Sequence, residues 1–542
     1  MARAPIVLES GPLVSMWTTT SEKAPEGTVH YALNMLPLSI DSPSSTWMAR
    51  GQFTPIGTGT AAGSAVVAMG QLSKVDGTEV TWLLSSSSGL WVYNWGVGTY
   101  SNVVTAANLA TATISVPAQT HYWCVFNNTI CFNASDGSQK PWTWDGGSGA
   151  GSLTELTDAP TAFGRPTAYA AKLFLIKYAE RDTIVWSEEN DATTGYEAGG
   201  FSNVWKLGQT GTDPLVAVQG TNEALYYFRG SRIGAIRGQV NTEFVTTATH
   251  DAISLSTGTL SPNGVAVGGR GLWFVDQWYI PTFLPFGGSP QRIVDEAFIG
   301  IGANYTSEPF GYNDVFRLEP EDPGPMTGQV LAMPVLSWLA YETVWFNLPS
   351  DENPGRVCLV VSQDTGRALG WVKPEIDNDV AMHKTMAVIR ELSSGQSVLG
   401  CADGVAGRLF WAGPLRAPDQ NEAGTAQSMT YRLIGSPLGS TRLGEMQFDR
   451  LMVTCSVRAN AHNLSLQTLT SRRQTSATAS TAQTKLLPTA ATAIPSRLVF
   501  GLNQSGRWIR PVFSLTTTLA QEFQINGWSV VAYPISTSPT TP

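Results

Sequence analysis

What most constrains the fold of this chain is a recurrence. A small or turn residue followed by a run of large apolar residues, continuing into a second strand, returns as GLWVYNW (89 to 95), TICFN (129 to 133), KLFLIKY (172 to 178), ALYYF (224 to 228), GLWFVDQWYI (271 to 280), TVWFNL (343 to 348) and RLFWAG (408 to 413). The first five recur at roughly 40 to 50 residues, the length of one four-stranded propeller blade. Two wider gaps follow. One holds the Pro/Gly/acidic insertion EPEDPGPMTG (319 to 328), the other a further strand pair, RVCLVVSQDTGRALGWV (356 to 372).

Between Gly51 and Trp411 no long stretch places apolar residues at i, i+3, i+4 and i+7, so helices are scarce. The expected fold is all-β, a β-propeller of six or seven blades, possibly irregular, with an antiparallel sandwich or platform formed by the termini. β-sandwich repeats give similar spacing and remain an alternative. The expected division is an N-terminal arm with platform strands at 1–62, the propeller at 63–415 and a C-terminal β-sandwich at 416–542. Composition shifts near APDQNEAGTAQ (417 to 427), and FDRLMVTCSV (448 to 457) and EFQINGWSVVAYP (522 to 534) alternate as strands do. The stretch 471–495 is rich in Ser, Thr and Ala and too poor in large apolar groups to hold a core, so it is expected as a mobile or partner-ordered loop.

Charge narrows the classes of function. Charged residues make up 14% of the chain, against roughly 25% in ordinary soluble domains. No Asp, Glu, Lys or Arg lies between Val80 and Ser135. Surfaces covered by neighbouring subunits are depleted in charge in this way. A secreted, glycan-bearing β protein is the rival explanation, but MARAPIVLESGPLVSMW lacks the basic-then-apolar pattern of a signal peptide. Sequons such as Asn127-Asn128-Thr129 and Asn304-Tyr305-Thr306 are therefore expected to be unused. Ser, Thr, Asn and Gly interrupt every apolar run long enough to span a bilayer, so no membrane-spanning segment is expected. The formal net charge of −9 disfavours a sequence-independent phosphate clamp.

Motifs that carry chemistry were weighed against scaffold roles. In FNNTICFNASDGSQKPWTWDGG (126 to 147), a two-residue Asn127-Asn128 turn pairs Phe126 with Thr129, Val125 with Ile130 and Cys124 with Cys131. That register makes the cysteines a hydrogen-bonded pair with more widely separated side chains, so buried free thiols are expected. Asp136-Gly137 has the start of a calcium loop but lacks its further acidic oxygens and closing Glu, which leaves a hairpin turn. SQDTGRALGW (362 to 371) approaches the S-x-D-x-G-x-T-W turn of sialidase-like propellers with its Trp two places late. Acidic groups such as Glu188-Glu189 and 319–322 sit in turns and insertions, and nothing pairs two of them for glycoside hydrolysis. His30, His121, His250, His383 and His462 share no metal-ligand spacing, and the five cysteines form no C-x-x-C pair. No nucleophile elbow, H-E-x-x-H helix or phosphate loop is present. The basic clusters RGSR (229 to 232) and SRR (471 to 473) are small and read as solvated or interface charges. No catalytic, cofactor-binding or metal-ligating residues are assigned, and no cofactor is expected.

The order of the segments carries more than any one motif. FNASDGSQKPWTWDGG is followed by LTDAPTAFGRPTAYAAKLFLIKYAERDTIVWSEENDATTGYE (156 to 197), DPLVAVQGTNEALYYFRGSRIGAIRG and GTLSPNGVAVGGRGLWFVDQWYIPTF (258 to 283). Over roughly residues 50 to 300 this resembles the tail nozzle, or head-tail stabilisation (tail tubular), proteins of short-tailed bacteriophages. GRWIRPVFSLTTTLAQEFQINGWSVVAYP (506 to 534) is similar to their closing strands, and the 471–495 insert departs from them. The resemblance implies a non-enzymatic virion protein of the tail, assembled in the host cytoplasm, with six copies in a ring. That ring would extend the portal and adaptor channel, retain packaged double-stranded DNA and conduct it during ejection without sequence-specific binding. The adaptor ring and tail fibres or spikes would be its neighbours. The alternative is a tail-associated propeller that binds or cleaves host-surface glycans.

Overall fold

A computed structural model describes residues 5–10, 15–16, 28–37, 46–50, 53–57, 66–117, 121–196, 203–208, 213–240, 244–278, 280–293, 335–338, 342–348, 357–372, 386–391, 395, 397–402, 407–412, 426–439, 445–458, 462–473, 476–487, 496–518 and 522–535. The 319–328 insertion, Asn304, His383 and most of 417–427 lie outside these residues. The fold is a β-propeller-like all-β architecture. Among the described residues no helix is long and apolar enough to cross a membrane.

Five separate antiparallel units follow one another, four of them four-stranded and the third five-stranded. Blade 1 is Val66–Ser73, Glu79–Ser85, Gly89–Asn94 and Thr99–Val104. Blade 2 is His121–Phe126, Thr129–Ala134, Trp142–Trp144 and Leu153–Glu155. Blade 3 begins with Ala162–Tyr169, Lys172–Lys177 and Thr183–Glu188, and both Asp191–Gly195 and Val204–Lys206 pair with its third strand. Blade 4 is Leu215–Gly220, Leu225–Arg229, Ile233–Arg237 and Thr249–Ser254. Blade 5 is Val265–Val267, Gly271–Val275, Pro281–Pro285 and Gln291–Arg292.

Two further units complete the circle. Blade 6 is Val335–Trp338, Thr343–Leu348, Val357–Ser362 and Ala368–Val372. In blade 7, Ala387–Arg390, Ser397–Ala402 and Leu409–Ala412 take Phe53–Pro55 as their outermost strand. Phe53–Pro55 falls in the stretch expected as arm and platform. It is three residues long, and its partner lies most of the chain away, so no local signal marks it. Pro55 suits the position, because an outermost strand needs no donor on its solvent side.

First strands of successive blades touch all the way round, and that of blade 7 returns to that of blade 1. Each junction between blades has its own apolar core. Trp82, Leu84, Phe132 and Trp144 join blades 1 and 2. Ile389 and Leu409 pack against Met69 and Leu83 where blade 7 meets blade 1. Gly70 marks how closely the first strands approach: a Cβ there would stand 2.4 Å from the Trp123 ring of blade 2.

Blade 6 does not end at its fourth strand. Leu33 of Thr28–Leu33 pairs in parallel with Trp371, and Thr28–Leu33 pairs with Met429–Gly435. The sheet continues through Trp508–Thr517 and His462–Arg473 to Ser476–Ala479. A second sheet carries Ile6–Glu9, Met35–Pro37, Trp47–Ala49, Glu522–Pro534, Met446–Arg458 and Ser496–Gly506. One core spans both sheets and reaches Trp273 of blade 5 and Phe346 of blade 6. Within 471–495, expected as a loop, the described part is corrected mostly to strand. Ser476–Ala479 and Gln483–Leu487 both pair with His462–Arg473. Residues 481–486 expose their side chains, so a backbone ladder, which composition does not report, orders this stretch.

All five cysteines are free and buried. Burial pushes the Cys124, Cys358 and Cys455 thiols up to about 12, and Cys131 well above the ordinary thiol range, helped by Cys124 beside it. In the unfolded chain thiols ionise near about 8.5. The unfolded state therefore releases these protons first as pH rises. Their contribution to stability is full below about pH 8.5 and is lost as pH climbs towards 12, by up to about 1.4 kcal/mol per pH unit per thiol. The urea midpoint is expected to fall steadily between about pH 9 and about pH 11, and a flat profile would contradict this account.

Candidate functional site

In each antiparallel blade the turn from first to second strand and the turn from third to fourth lie at the same end. These turns are tied to one another from blade to blade. Arg390 at the end of blade 7's first strand reaches Glu79 of blade 1 (2.8 Å), and Gln71 Nε2 donates to the Arg390 carbonyl (3.2 Å). The Val75 N–H of blade 1 donates to Asn128 Oδ1 of blade 2 (2.8 Å). Asn127 Nδ2 donates to the Asn190 carbonyl of blade 3 (2.6 Å). Arg270 of blade 5 donates to the Asp364 carbonyl (2.7 Å) and pairs with its carboxylate.

The Asn127-Asn128 turn is thus a staple across three blades. Its register is as expected, with Phe126 opposite Thr129 and Cys124 opposite Cys131, and both asparagines have positive φ, 44° and 62°. Asn is one of the few side-chain-bearing residues that accepts this conformation. The amide nitrogen that the sequon would glycosylate is the one donating to Asn190. Asn128→Ala is expected to cost about 1–2 kcal/mol, from the left-handed backbone and the lost acceptor for Val75. Asn128→Gly should recover the backbone part. Wild-type stability of Asn128→Gly in chemical denaturation would refute the staple, since that variant also lacks the acceptor for Val75.

Between blades 3, 4 and 5 the same end opens into a cleft of about 670 Å³. Residues 168–171 of blade 3, 220–223 of blade 4, and 267–269 with Phe286 of blade 5 form its lining. Ala170 and Ala171 make a turn with both φ values positive, 49° and 58°. Alanine pays roughly 1–2 kcal/mol per residue for that conformation. Asn190 N–H holds the turn by donating to the Ala171 carbonyl (2.7 Å). Gly220 is required by close approach, since a Cβ would stand 2.1 Å from the Ala168 carbonyl. Its N–H donates to Thr167 Oγ1 (2.9 Å). Thr221 Oγ1 accepts from the N–H groups of Glu223 (3.3 Å) and Ala224 (3.1 Å). The exposed Asn222 and Glu223 are thereby carried on a fixed turn. Among the described residues Glu223 is the one carboxylate in the lining, and they place no acid pair there for hydrolysis.

The residues considered from sequence are scattered by the fold. His121 is buried in the first strand of blade 2, and His250 meets the Tyr227 hydroxyl on blade 4. His30 and His462 lie in strands, with side chains outside the described residues. Arg229 is buried and donates to the Leu207 and Asp213 carbonyls, while Arg232 stands 3.9 Å from Asp213. Of the two arginines in RGSR, Arg229 is thus internal bracing while Arg232 is exposed. Asp136 caps its own turn, accepting from the Ser138 N–H (3.0 Å) and hydroxyl (2.7 Å). Glu188 faces Lys172 (3.7 Å) and Asn203 (2.9 Å). Asp364-Thr365-Gly366 forms a turn with Gly366 at φ 68°, and Trp371 beyond it is fully buried. Among the described residues no three His, Cys, Asp or Glu side chains gather as a metal site. The cleft was not legible in sequence: Ala-Ala carries no turn signal, and only Thr221-Asn222-Glu223 hinted at one.

No protein-family profile and no curated protein matches the chain. Among solved structures, the chain is similar to the computationally designed Ika8 protein, at 9% identity over 67% of this chain and 99% of that one, TM-score 0.35. It is also similar to the extracellular domain of a hybrid two-component system from B. thetaiotaomicron, at 11% identity over 73% of this chain and 45% of that one, TM-score 0.39. The AfRom2 CNH domain matches at 8% identity over 66% of this chain and 96% of that one, TM-score 0.35. None of these likenesses reaches a TM-score of 0.5, and the fold rests on its own strand pairing.

Proposed function

We propose that this chain is a structural protein of the tail of a short-tailed phage. Six copies form a ring that extends the portal and adaptor channel, retains the packaged DNA and conducts it during ejection. The adaptor ring and the tail fibres or spikes are its neighbours, and its work is done by contacts instead of catalysis.

The observation that supports this reading best is the unbroken sheet running from blade 6 into the sandwich through Trp371 and Leu33. A ring built from head-to-tail contacts closes only if every subunit holds its two lateral surfaces at one fixed angle. A propeller and a sandwich on a flexible linker would let that angle drift. Here a shared core and a shared sheet couple them. The charge-poor surface suits faces covered by neighbours, and the net charge of −9 suits a lumen along which phosphates slide.

Electron microscopy of the recombinant protein and of the purified virion tests the proposal. A ring with an axial hole in line with the tail is expected. A monomer at every concentration, or a peripheral spike on the virion, would overturn it.

A further inference from the structure

The cleft between blades 3, 4 and 5 has a chemistry that the ring does not use. Among the described residues none that lines it is Lys, Arg or His, and Glu223 adds a negative charge, so an anionic ligand would meet repulsion there. Half the lining is glycine or alanine, which leaves room for a ligand to approach the backbone closely. The exposed side chains of Asn222 and Glu223 stand on the Thr221-braced turn. Opposite them are apolar groups: the half-buried Phe286, whose ring centroid lies 6.4 Å from that of Tyr226, the exposed Val267, and the methyl groups of Ala170 and Ala171. The volume falls within the roughly 300–1,000 Å³ of small-molecule clefts.

We propose that this cleft binds a neutral saccharide of one to a few pyranose units. A pyranose has an edge of hydroxyls that both donate and accept, and a face of C–H groups. A carboxylate beside a carboxamide serves the edge: Glu223 accepts, and Asn222 does both. The Phe286 ring and the alanine methyls serve the face. The Ala170-Ala171 turn fits this use, because an Asn-Gly turn would relieve the backbone but remove the methyl wall. Strain of this kind is retained where the surrounding structure has a use for it.

The inference does not depend on the ring, and it is tested on residues 1–542 in solution. Saturation-transfer NMR against the neutral trisaccharides of glucose, galactose, mannose and N-acetylglucosamine should show transfer to at least one of them. Gly269→Trp is the decisive variant. A Cβ at Gly269 meets nothing within 4 Å and its backbone is not left-handed, so the indole fills the cleft without disturbing the fold. It should abolish transfer while leaving the thermal midpoint unchanged. Phe286→Ala should weaken binding by about tenfold or more, and Asn222→Ala by about three- to tenfold. Silence from all four sugars would overturn the proposal, as would transfer that persists in Gly269→Trp. Binding of a polyamine in place of the sugars, lost in Glu223→Gln, would overturn it in favour of a cation site.

Discussion

Phe53→Ala is expected to destabilise the protein by about 3–5 kcal/mol, as a buried Phe truncation does when its cavity cannot collapse. Phe53 is fully buried among Trp345, Leu369, Leu399 and Phe410 of blades 6 and 7, and the Arg50 guanidinium lies 5.1 Å from its ring centroid. Its strand is anchored by pairing with residues 410–412 and by the Ile56 N–H donating to the Leu409 carbonyl (2.7 Å). The loss should exceed that of a cavity in an isolated hairpin, because this strand carries the join between the two ends of the ring. Opening it also releases the junction core of Met69, Leu83 and Ile389 to water. Denaturation of Phe53→Ala alongside Trp186→Ala, which empties the junction of blades 3 and 4 far from the closure, gives the comparison. If Phe53→Ala leaves the midpoint where it was, residues 53–55 do not close the ring.

Trp371→Ala should have an effect of similar size, about 3–5 kcal/mol, with a different signature. Trp371 is fully buried and stands where three chain segments meet: opposite Leu359 in blade 6, opposite Leu33 in parallel, and with its carbonyl accepting from the Asn34 N–H (2.7 Å). Nothing larger than glycine fits beside it at residue 370, where a Cβ would stand 2.5 Å from the Met35 carbonyl. Removing the indole should loosen the seam between propeller and sandwich before either half unfolds. Limited proteolysis should then release two stable fragments where the wild-type chain resists. In the assembly proposed above, this variant should also fail to form the ring, because its propeller and sandwich are no longer held at one angle. Protease resistance equal to wild type would show that the seam does not depend on this side chain.

Much of the propeller was legible because its signals are local. The runs at 129, 172, 224 and 271 all begin within or beside second strands of successive blades, and their spacing is the blade repeat itself. The pairing of Cys124 with Cys131 followed from turn length alone, since a two-residue turn leaves one register. The same hairpin showed the limit of such reading. That Asn127 and Asn128 form a turn is a property of the dipeptide, but that their amides brace blades 1 and 3 depends on which loops arrive beside them.

Other features were hidden for the same reason. Phe53–Pro55 is too short to show a period, and blade 6 passes into the sandwich through a single parallel pairing. Within the apolar-poor 471–495 stretch, the backbone of Ser476–Ala479 and Gln483–Leu487 is satisfied by a neighbouring strand, which composition does not report. Alternation, turn chemistry and repeat length act between residues a few positions apart, so the sequence alone determined an all-β chain of repeated four-stranded units. Ring closure, the seam with the sandwich and the cleft between blades 3, 4 and 5 arise from contacts between segments remote in the chain. Their energy comes from burial and hydrogen bonds that exist only once the blades are side by side, and only the tertiary structure could decide them.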